Sequence, residues 1–373
     1  MPFSNTDPEG VWLGRAELVG LGPIVVTIRD GYLLDITSRD SATTRDVLEK
    51  NNATEFVRTC RGTPLAVISD IPPSIKWLAP CDFQAIKACG VTFIGSMIER
   101  VIEERAAGDF ERAHDVRIQI TNRLGENLSE IVPGSNEAGE VKRILIEQGL
   151  WSQYLEVGIG PDAEIFSKAQ VLSAVGYGED VGLHPSSIWN NPEPEVVLAV
   201  SSGGNIMGAT LGNDVNLRDI EGRSALLLSK AKDNNASCAI GPMIRLFDDK
   251  FKLEDVRNAE LELRIVGKDG FELIGYSSMN QISRDPKDLV KQTVGRHHQY
   301  PDGLMLFLGT LFAPTQDRDA VGRGFTHKLG DVVTISCSEL GSLKNTVQLS
   351  TECPKWTIGA TALMRNLVAR NLI

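Results

Sequence analysis

The sequence has little of several features that mark particular classes of protein. Aromatic residues make up only 6% of its 373 residues, and no hydrophobic run approaches the roughly 18 residues that a membrane span needs. Basic residues are outnumbered by acidic ones, 38 to 49, which gives a formal net charge of -11. This balance disfavours nucleic acids and anionic membranes, and we expect neither as a partner.

Cysteine is also scarce. The six cysteines are scattered along the chain, and no two of them form a Cys-x-x-Cys pair. Such spacing favours free thiols over a zinc or disulfide framework, with one isolated disulfide as the alternative. The first residues contain no basic segment followed by an apolar core, so we expect no signal peptide and a cytoplasmic protein.

The most informative stretch runs from residue 192 to residue 242. Glu193 and Glu195 precede the apolar run Val196–Val200. If this run is a strand, residues two apart share a face, so both carboxylates point the same way. Like charges on one buried face need a compensating cation, and a divalent ion held by oxygen atoms suits them. Asp214, in a Gly-Asn-Asp turn, supplies a third carboxylate.

A Glu-x-Glu pair is by itself common, and on an edge strand it usually faces water, so its surroundings carry the argument. A strand as apolar as Val196–Val200 is typical of one buried on both faces. Arg218 and Lys232 follow close behind in the sequence, as an anionic substrate on a metal would require.

Three ordered motifs in this stretch resemble the signature of the fumarylacetoacetate hydrolase superfamily. They are Glu-x-Glu at 193–195, Gly-Asn-Asp-Val-x-x-Arg-Asp at 212–219, and Lys-x-x-[Asp/Asn]-x-x-Cys-x-x-Gly-Pro at 232–242. The resemblance covers about residues 75–350. It implies 2-keto acid substrates and a Mg²⁺ or Mn²⁺ site whose ligands here would be Glu193, Glu195 and Asp214.

The resemblance also implies a fold of the α+β class. We expect a small N-terminal accessory domain containing β-strands at residues 1–75. A β-rich catalytic domain, a mixed β-sandwich or roll, would follow at residues 76–373, with a helical insertion at about 97–150. From the same resemblance we expect a homodimer or a higher homo-oligomer.

Several further residues match positions of the family's active site. Lys232 matches its active-site lysine. Arg218, Asp219, Lys168 and Thr310 are candidates for substrate binding, Thr310 through a hydrogen bond to a substrate carboxylate. Lys168 belongs to a Phe-x-Lys segment and is expected at the rim of the site, with an ordinary surface lysine as the alternative.

One departure from the family pattern bears on the reaction. Members commonly carry Gly-x-Asn-Tyr-x-x-His-x-x-Glu, and in hydrolytic members the histidine and the glutamate activate water. Here Ser96 stands at the histidine position and Glu99 at the glutamate position. A serine cannot act as a general base near neutral pH as a histidine can. The alternative is that the alignment is shifted by one turn and Glu99 is a solvated helix residue.

The leading hypothesis is therefore a Mg²⁺-dependent dehydratase that acts on a 2-keto-3-deoxy sugar acid in pentose catabolism. It would convert 2-keto-3-deoxypentonate into 2,5-dioxopentanoate through a metal-stabilised enolate. Lys232 or Glu99 would be the base at C3, the other aiding departure of the C4 hydroxyl, with Ser96 beside them. A lysine base needs a lowered pKa, which a neighbouring cation can supply. The alternatives are a hydrolase that cleaves a C–C bond in an acylpyruvate or diketo acid, and a 2-keto acid binder without activity.

Local patterns predict several elements that position these residues. Apolar runs and turn residues predict a β-hairpin around Asp30-Gly31 and another over residues 260–277. Helical periodicity from Met97 predicts a helix, with further helices over residues 113–128 and 140–148.

Overall fold

The computed structural model describes residues 2–3, 9–109, 112–117, 131–147, 149–310, 312, 314, 316–320 and 324–373. The strands are β1 (Trp12–Leu18), β2 (Gly22–Arg29), β3 (Tyr32–Asp35), β4 (Thr63–Val67), β5 (Ile75–Leu78), β6 (Ala85–Gly90), β7 (Glu164–Ala169), β8 (Asp180–Leu183), β9 (Pro194–Val200), β10 (Ile206–Asp214), β11 (Cys238–Leu246), β12 (Glu260–Val266), β13 (Glu272–Ser278), β14 (Leu304–Phe307), β15 (Val332–Cys337) and β16 (Gly341–Leu349).

The helices are interspersed among the strands along the chain. They are α1 (Thr44–Leu48), α2 (Ala53–Thr59), α3 (Ile94–Arg105), α4 (Asn136–Glu147), α5 (Gln153–Ile159), α6 (Arg218–Glu221), α7 (Leu228–Lys232), α8 (Leu253–Arg257), α9 (Pro286–Thr293) and α10 (Ala360–Ala369), with 3₁₀ turns at Ala225–Leu227 and Met279–Gln281. Residues 112–117 are also helical. The rest of the helix predicted over 113–128 lies outside the described residues.

Two mixed sheets organise the fold. The larger has the strand order β4-β3-β2-β1-β11-β10-β9-β14-β6-β7, with β5 added beside β1, and the smaller has the order β13-β12-β15-β16-β8. Neighbouring strands are antiparallel except for the parallel pairs β14–β6 and β16–β8. Together with the helices, these sheets confirm the α+β class.

The hairpins predicted from turn residues are confirmed. The chain reverses between β2 and β3 at Asp30 and Gly31, whose φ angles are 51° and 77°. Both values lie in the left-handed region that a two-residue hairpin turn of this kind requires, and glycine adopts it without a steric cost. Strands β12 and β13 pair along their length and form the second hairpin.

The strand that follows the first glutamate, β9, is buried on both faces, as its apolar sequence predicts. Leu198 and Val200 pack in a core shared with the smaller sheet, whereas Val197 and Ala199 pack in a second core with α1 and α2. All seven residues of β9 are buried. Its ends are therefore held rigidly, and so are the side chains that project from them.

The N-terminal segment is joined to the rest of the molecule through the larger sheet. Strand β1 pairs with β11, where Trp12 stands opposite Arg245. The boundary at residue 75 stays a prediction. Of the helices in the part of the chain that the structure describes, none combines the length and hydrophobicity that a bilayer span requires. All six cysteines are free, and five of them are buried.

Candidate metal centre and active site

The three acidic residues of the predicted metal site meet where β9 begins and β10 ends. Glu195 lies on β9 opposite Gly212 of β10, and the amide of Asp214 donates a 3.0 Å hydrogen bond to the carbonyl of Glu193. One carboxylate oxygen from each of the three acidic residues lies within 4.8 Å of the others, and all three residues are buried. The antiparallel pairing thus brings residues about 20 positions apart into one cluster.

Glu193 is balanced by two cations. The Lys232 ammonium donates a 2.5 Å hydrogen bond to its Oε2, and the Arg100 guanidinium binds its Oε1. Burial favours the neutral acid, but Lys232 and Arg100 outweigh burial and lower the pKa of Glu193. Its carboxylate therefore stays charged inside the protein.

Glu195 has a different environment. It accepts a 2.7 Å hydrogen bond from the amide of Gly309, and no lysine or arginine of the described residues forms an ion pair with it. Burial raises the pKa of Glu195 well above its usual value, and the nearby charges of Asp214 and Glu193 add to the effect. A cation added beside Glu195 would offset these effects and favour its charged form.

Asp214 completes a donor set that fits a divalent metal ion. Lys168 and Lys232 lie 3.0 and 3.1 Å from its two oxygens, yet its buried Oδ1 accepts no hydrogen bond. Three carboxylates that include such an oxygen are the hard ligands that Mg²⁺ and Mn²⁺ prefer. The residues present therefore fit this ion.

Lys232 is buried and donates to two of these carboxylates. Burial alone would lower its pKa, but Asp214, Glu193 and Glu221 outweigh burial, and the pKa of Lys232 is raised. The expectation of a lowered pKa is therefore wrong for this arrangement, because the carboxylates around the ammonium exceed the cations. Lys232 is better suited to donate a proton or a hydrogen bond than to accept a proton.

Lys168 lies inside the site rather than at its rim. Its side chain is completely buried, with the ammonium 3.0 Å from Asp214 and bonded to the carbonyl of Lys232. Both the rim position and the surface-lysine alternative are wrong. The sequence gives no sign of this, because the partner that allows the charge to be buried comes from β10.

Arg218 and Asp219 stand beside the cavity and are not among its lining residues. The buried Arg218 binds Glu103 at 2.6 Å and stacks on Trp189, with its Cζ 4.3 Å from the ring centre. Asp219 accepts hydrogen bonds from Ser187 at 2.8 Å and from the amide of residue 188 at 2.9 Å. Both fix surrounding segments, and their contact with substrate stays a prediction.

Ser96 and Glu99 both lie on α3 but have different surroundings. Ser96 lines the cavity, and its hydroxyl donates a 2.9 Å hydrogen bond to the carbonyl of Phe93. Glu99 does not line it; Arg117 binds both of its oxygens, at 2.9 and 2.7 Å, and Arg218 binds one at 3.0 Å. Burial opposes its ionisation, but the two arginines prevail and lower its pKa.

The alternative reading of Glu99 as a solvated helix residue is wrong, since its side chain is only 15% exposed. Its catalytic role stays a prediction. Thr310 also lines the cavity, where its hydroxyl accepts a 3.1 Å hydrogen bond from the amide of Phe312. Its contact with a substrate carboxylate stays a prediction.

Sequence reasoning missed several residues of the cavity, above all Arg100, Glu164 and Glu221. Arg100 lies four residues after Ser96, the spacing that places two side chains on one helix face. Glu164 lies four residues before Lys168, so both project from the same face of β7. These spacings were visible in the sequence, but only the fold shows that both faces point at the metal ligands.

The cavity is small in this conformation. The space left open between its side chains is about 20 Å³, enough for one water molecule or ion. The guanidinium of Arg100, the carboxylate of Glu164 and the ammonium of Lys232 border it. A sugar acid therefore requires some of these side chains to move.

The sequence around these ligands is similar to that of a known protein family. Residues 194–348 match the family model described as the C-terminal region of fumarylacetoacetate hydrolase. The residues that carry this likeness are less than half of the chain. They include Glu195 and Asp214, whereas Glu193 adjoins the first matched residue.

Two curated proteins similar to this chain have dehydratase names. The 2-dehydro-3-deoxy-D-arabinonate dehydratase of Saccharolobus solfataricus is 31% identical over 180 residues, 48% of this chain and 57% of the relative. The "Probable 2-keto-3-deoxyxylonate dehydratase" of Haloferax volcanii is 32% identical over 203 residues, 54% of this chain and 65% of the relative. The matched region thus spans less than two thirds of either relative.

A solved structure shares the fold of most of the chain. It is 2-keto-3-deoxy-D-arabinonate dehydratase complexed with magnesium and 2,5-dioxopentanoate, and it superimposes with a TM-score of 0.63 at 22% identity. The superposition covers 91% of this chain and 99% of the other. Because it covers 91% of this chain, the likeness in fold extends well beyond residues 194–348.

Proposed function

We propose that the protein is a Mg²⁺-dependent dehydratase that converts a 2-keto-3-deoxypentonate into 2,5-dioxopentanoate. The observation that carries the proposal is a buried triad of carboxylates beside a charged lysine, in a cavity without a water-activating histidine. No histidine lines that cavity among the described residues, and the Ser96 hydroxyl is engaged by a backbone carbonyl. The names of the curated relatives support the same reaction class.

The residues that would hold the metal ion, Mg²⁺ or Mn²⁺, are Glu193, Glu195 and Asp214. When bound, the ion supplies Lewis acidity that stabilises negative charge developing on the keto oxygen of a 2-keto acid. Magnesium is the ion in the complex of the structurally similar dehydratase. Lys232 and Arg100 lower the pKa of Glu193 and so preserve its carboxylate as a ligand, and Lys168 and Lys232 form ion pairs with Asp214.

We assign the two proton transfers to Glu164 and Lys232. Glu164 borders the cavity, and burial raises its pKa, which makes it a stronger base than an exposed carboxylate. It would take a proton from C3, and Lys232 would donate a proton as the C4–O bond breaks, so that water leaves. The unsaturated acid then tautomerises to 2,5-dioxopentanoate without a change in composition. Glu99 fits the base less well, because two arginines hold it away from the cavity.

The deciding experiment is a coupled assay with Mg²⁺. D- and L-2-keto-3-deoxypentonate are supplied separately, and a semialdehyde dehydrogenase with NADP⁺ reports the product. We expect a signal with one isomer that disappears with EDTA and in the Glu195→Ala variant. The Glu254→Ala variant, altered at an exposed acid on α8, is the matched control.

Other outcomes would establish a different function for the cavity. Turnover of acylpyruvates without turnover of either deoxy sugar acid would establish the hydrolase. Binding of pyruvate or oxalate without any turnover would establish a 2-keto acid binder. In either case the dehydratase proposal fails.

Hydrogen exchange at C3 tests the roles of the side chains. In deuterated buffer we expect the Glu164→Gln variant to lose C3 exchange, while Glu99→Gln keeps it if the fold is intact. The reverse result would return the base to Glu99 and exclude Glu164. We further propose that the enzyme serves pentose catabolism as a cytoplasmic homo-oligomer, whose subunit number light scattering would determine.

A further inference from the structure

We propose that Arg100 is a displaceable internal cation. In the present conformation its guanidinium binds the carboxylate of the metal ligand Glu193. Binding of a divalent metal ion moves the guanidinium to Glu221. This movement enlarges the cavity for substrate. The inference rests on the proposed metal site, though not on the identity of the reaction.

Arg100 is held by three carboxylates at once. It binds Oε1 of Glu193, lies 2.8 Å from Glu103, and lies 3.0 Å from Glu221. The side chain is 12% exposed, so these charges interact with little screening by water. One of its three partners is a predicted ligand and the other two are not.

Both oxygens of Glu193 are occupied by cations, Oε1 by Arg100 and Oε2 by Lys232. A metal ion that binds Glu193 must therefore weaken at least one of these contacts. Lys232 is the poorer candidate to leave, because its ion-pair partners in the described residues are Glu193 and Asp214, both ligands themselves.

Arg100 has a second acceptor already in place. Oε2 of Glu221 is buried and accepts no hydrogen bond, although Nη1 of Arg100 lies 3.0 Å away at an unfavourable angle. A small rotation of the guanidinium toward Glu221 would turn this ion pair into a hydrogen bond. The loss of contact with Glu193 is thus offset within the same cluster.

The charges around the cavity favour the exchange. Among the side chains that the structure describes there, six carboxylates face four cations, an excess of two negative charges when all are ionised. The carboxylates are Glu103, Glu164, Glu193, Glu195, Asp214 and Glu221; the cations are Arg100, Lys168, Arg218 and Lys232. Glu99 and Arg117, which extend the cluster, cancel each other. One divalent ion balances the excess, so Arg100 needs only a new partner, not an exit to solvent.

Movement of Arg100 would also make room for substrate in the cavity. The open space of about 20 Å³ has no room for a five-carbon acid, and Arg100 borders it. Rotation toward Glu221 leaves the positive charge beside the enlarged cavity, where a substrate carboxylate binds most favourably.

Calorimetric titration of Mn²⁺ into full-length protein treated with EDTA tests the proposal without any substrate. We expect Arg100→Gln to bind Mn²⁺ about tenfold more tightly, because Glu193 is released. We expect Glu221→Gln to bind it about tenfold more weakly, because Arg100 loses its alternative partner. Arg143→Gln and Glu147→Gln, an exposed pair on α4, should leave the Kd unchanged.

The double variant Arg100→Gln, Glu221→Gln separates this exchange of partners from the simple loss of one negative charge near the metal. If Glu221 acts through Arg100, the Glu221→Gln change alters the Kd about tenfold in the native background and little in the Arg100→Gln background. Equal effects in both backgrounds, or no Mn²⁺ binding by the native protein, would overturn the proposal.

If Arg100→Gln fails to fold, as circular dichroism would show, Arg100→Lys replaces it. It is then made both alone and together with Glu221→Gln. A lysine cannot bridge the three carboxylates, so the same tightening and the same loss of coupling are expected in weaker form. Absence of both overturns the proposal. Because calorimetry reports metal binding alone, a negative dehydratase assay would leave this result standing.

Discussion

At the scale of single residues, the site depends on a glycine that leaves room for a carboxylate. Gly90 of β6 pairs with Glu164 of β7 across the sheet. A Cβ atom built on Gly90 would lie 2.1 Å from Oε2 of Glu164, well inside contact distance. The sequence around Gly90 gives no hint of this approach, since the two residues are 74 positions apart.

The first prediction concerns this pair. The Gly90→Ala variant should fold normally, because only the flexible end of Glu164 has to move. Its kcat should fall by roughly 100-fold, in the range that a displaced general acid or base costs. Gly139→Ala, at a helical glycine with open space around it, is the control. Full activity of Gly90→Ala on the identified substrate would exclude Glu164 as the base.

At the scale of elements, the position of the ligands depends on how β9, β10 and β14 pack. Strand β9 lies between the other two, and Val197 of β9 and Phe307 of β14 close over Gly212 of β10. Two residues beyond Phe307, the amide of Gly309 binds Glu195. The strands that place the carboxylates are therefore also the ones that hold their backbone partner.

The second prediction tests this packing. A Cβ atom on Gly212 would lie 2.3 Å from the Phe307 ring and 2.6 Å from Val197. Gly212→Ala should therefore lower the free energy of unfolding by about 1–3 kcal/mol, as overpacked cores do. Urea unfolding measures the change. Gly139→Ala should be neutral or stabilising, because it adds a helix-favouring residue where there is space.

Sequence periodicity predicted α3 but could not orient it. The pattern of apolar residues from Met97 onward indicates a helix, and the structure confirms one over Ile94–Arg105. Which polar side chain of that helix meets the metal ligands depends on the rotation of the helix about its axis, and adjacent residues differ by about 100°. The family motif pointed to Glu99, whereas Arg100, one position on, makes the contact with Glu193.

At the scale of the whole molecule, stability is linked to pH through a buried cluster near the start of β15. Asp331 accepts hydrogen bonds from Arg318 at 2.6 and 2.8 Å and lies 3.1 Å from the ring nitrogen of His327. Burial lowers the pKa of His327 more than Asp331 raises it. For Asp331, burial is outweighed by Arg318 and His327, and its pKa is lowered to about 2.

The third prediction follows from these two shifts. The unfolded chain protonates His327 near its usual pKa while the folded protein resists, so stability declines as pH falls below about 6.5. Asp331 stabilises the fold above its unfolded pKa, and this contribution, about 2 kcal/mol, is lost as pH falls from about 4 toward 2.

Urea midpoints between pH 8 and pH 2 would show both steps. His327→Asn should flatten the curve between pH 7 and pH 5, because asparagine does not titrate. His298→Asn, at an exposed histidine, should leave the curve unchanged. A native curve that is flat from pH 7 to pH 5 would contradict the role of His327.

The N-terminal segment contacts the strands of the larger sheet that carry the site. We propose that residues 1–75 form an accessory unit of the catalytic domain. Strand β1 pairs with β11, and α1 and α2 cover one face of β9. Removing this segment would expose the apolar residues of that face. The unit therefore contributes to the rigidity of the strand that places Glu195.

By itself, the sequence determined the local elements and the residue types of the site. Alternating apolar residues and turn residues fix strands and hairpins within a few positions, because these depend on neighbours in the chain. Likewise, the spacing of Glu193 and Glu195 predicted two carboxylates on one face of a strand, and the family resemblance added Asp214. The expected turn at Asp214 is wrong, because Asp214 is the last residue of β10 and stays paired in the sheet.

Only the tertiary structure decided which charges meet there. Lys168 is buried against Asp214, Glu164 fills the space beside Gly90, and Arg100 occupies Glu193. Each of these contacts joins strands or helices that are distant in sequence, and each charge can be buried only because its partner arrives from another element. The energy of a buried charge depends on those partners, and the spacing of residues along the chain does not encode them.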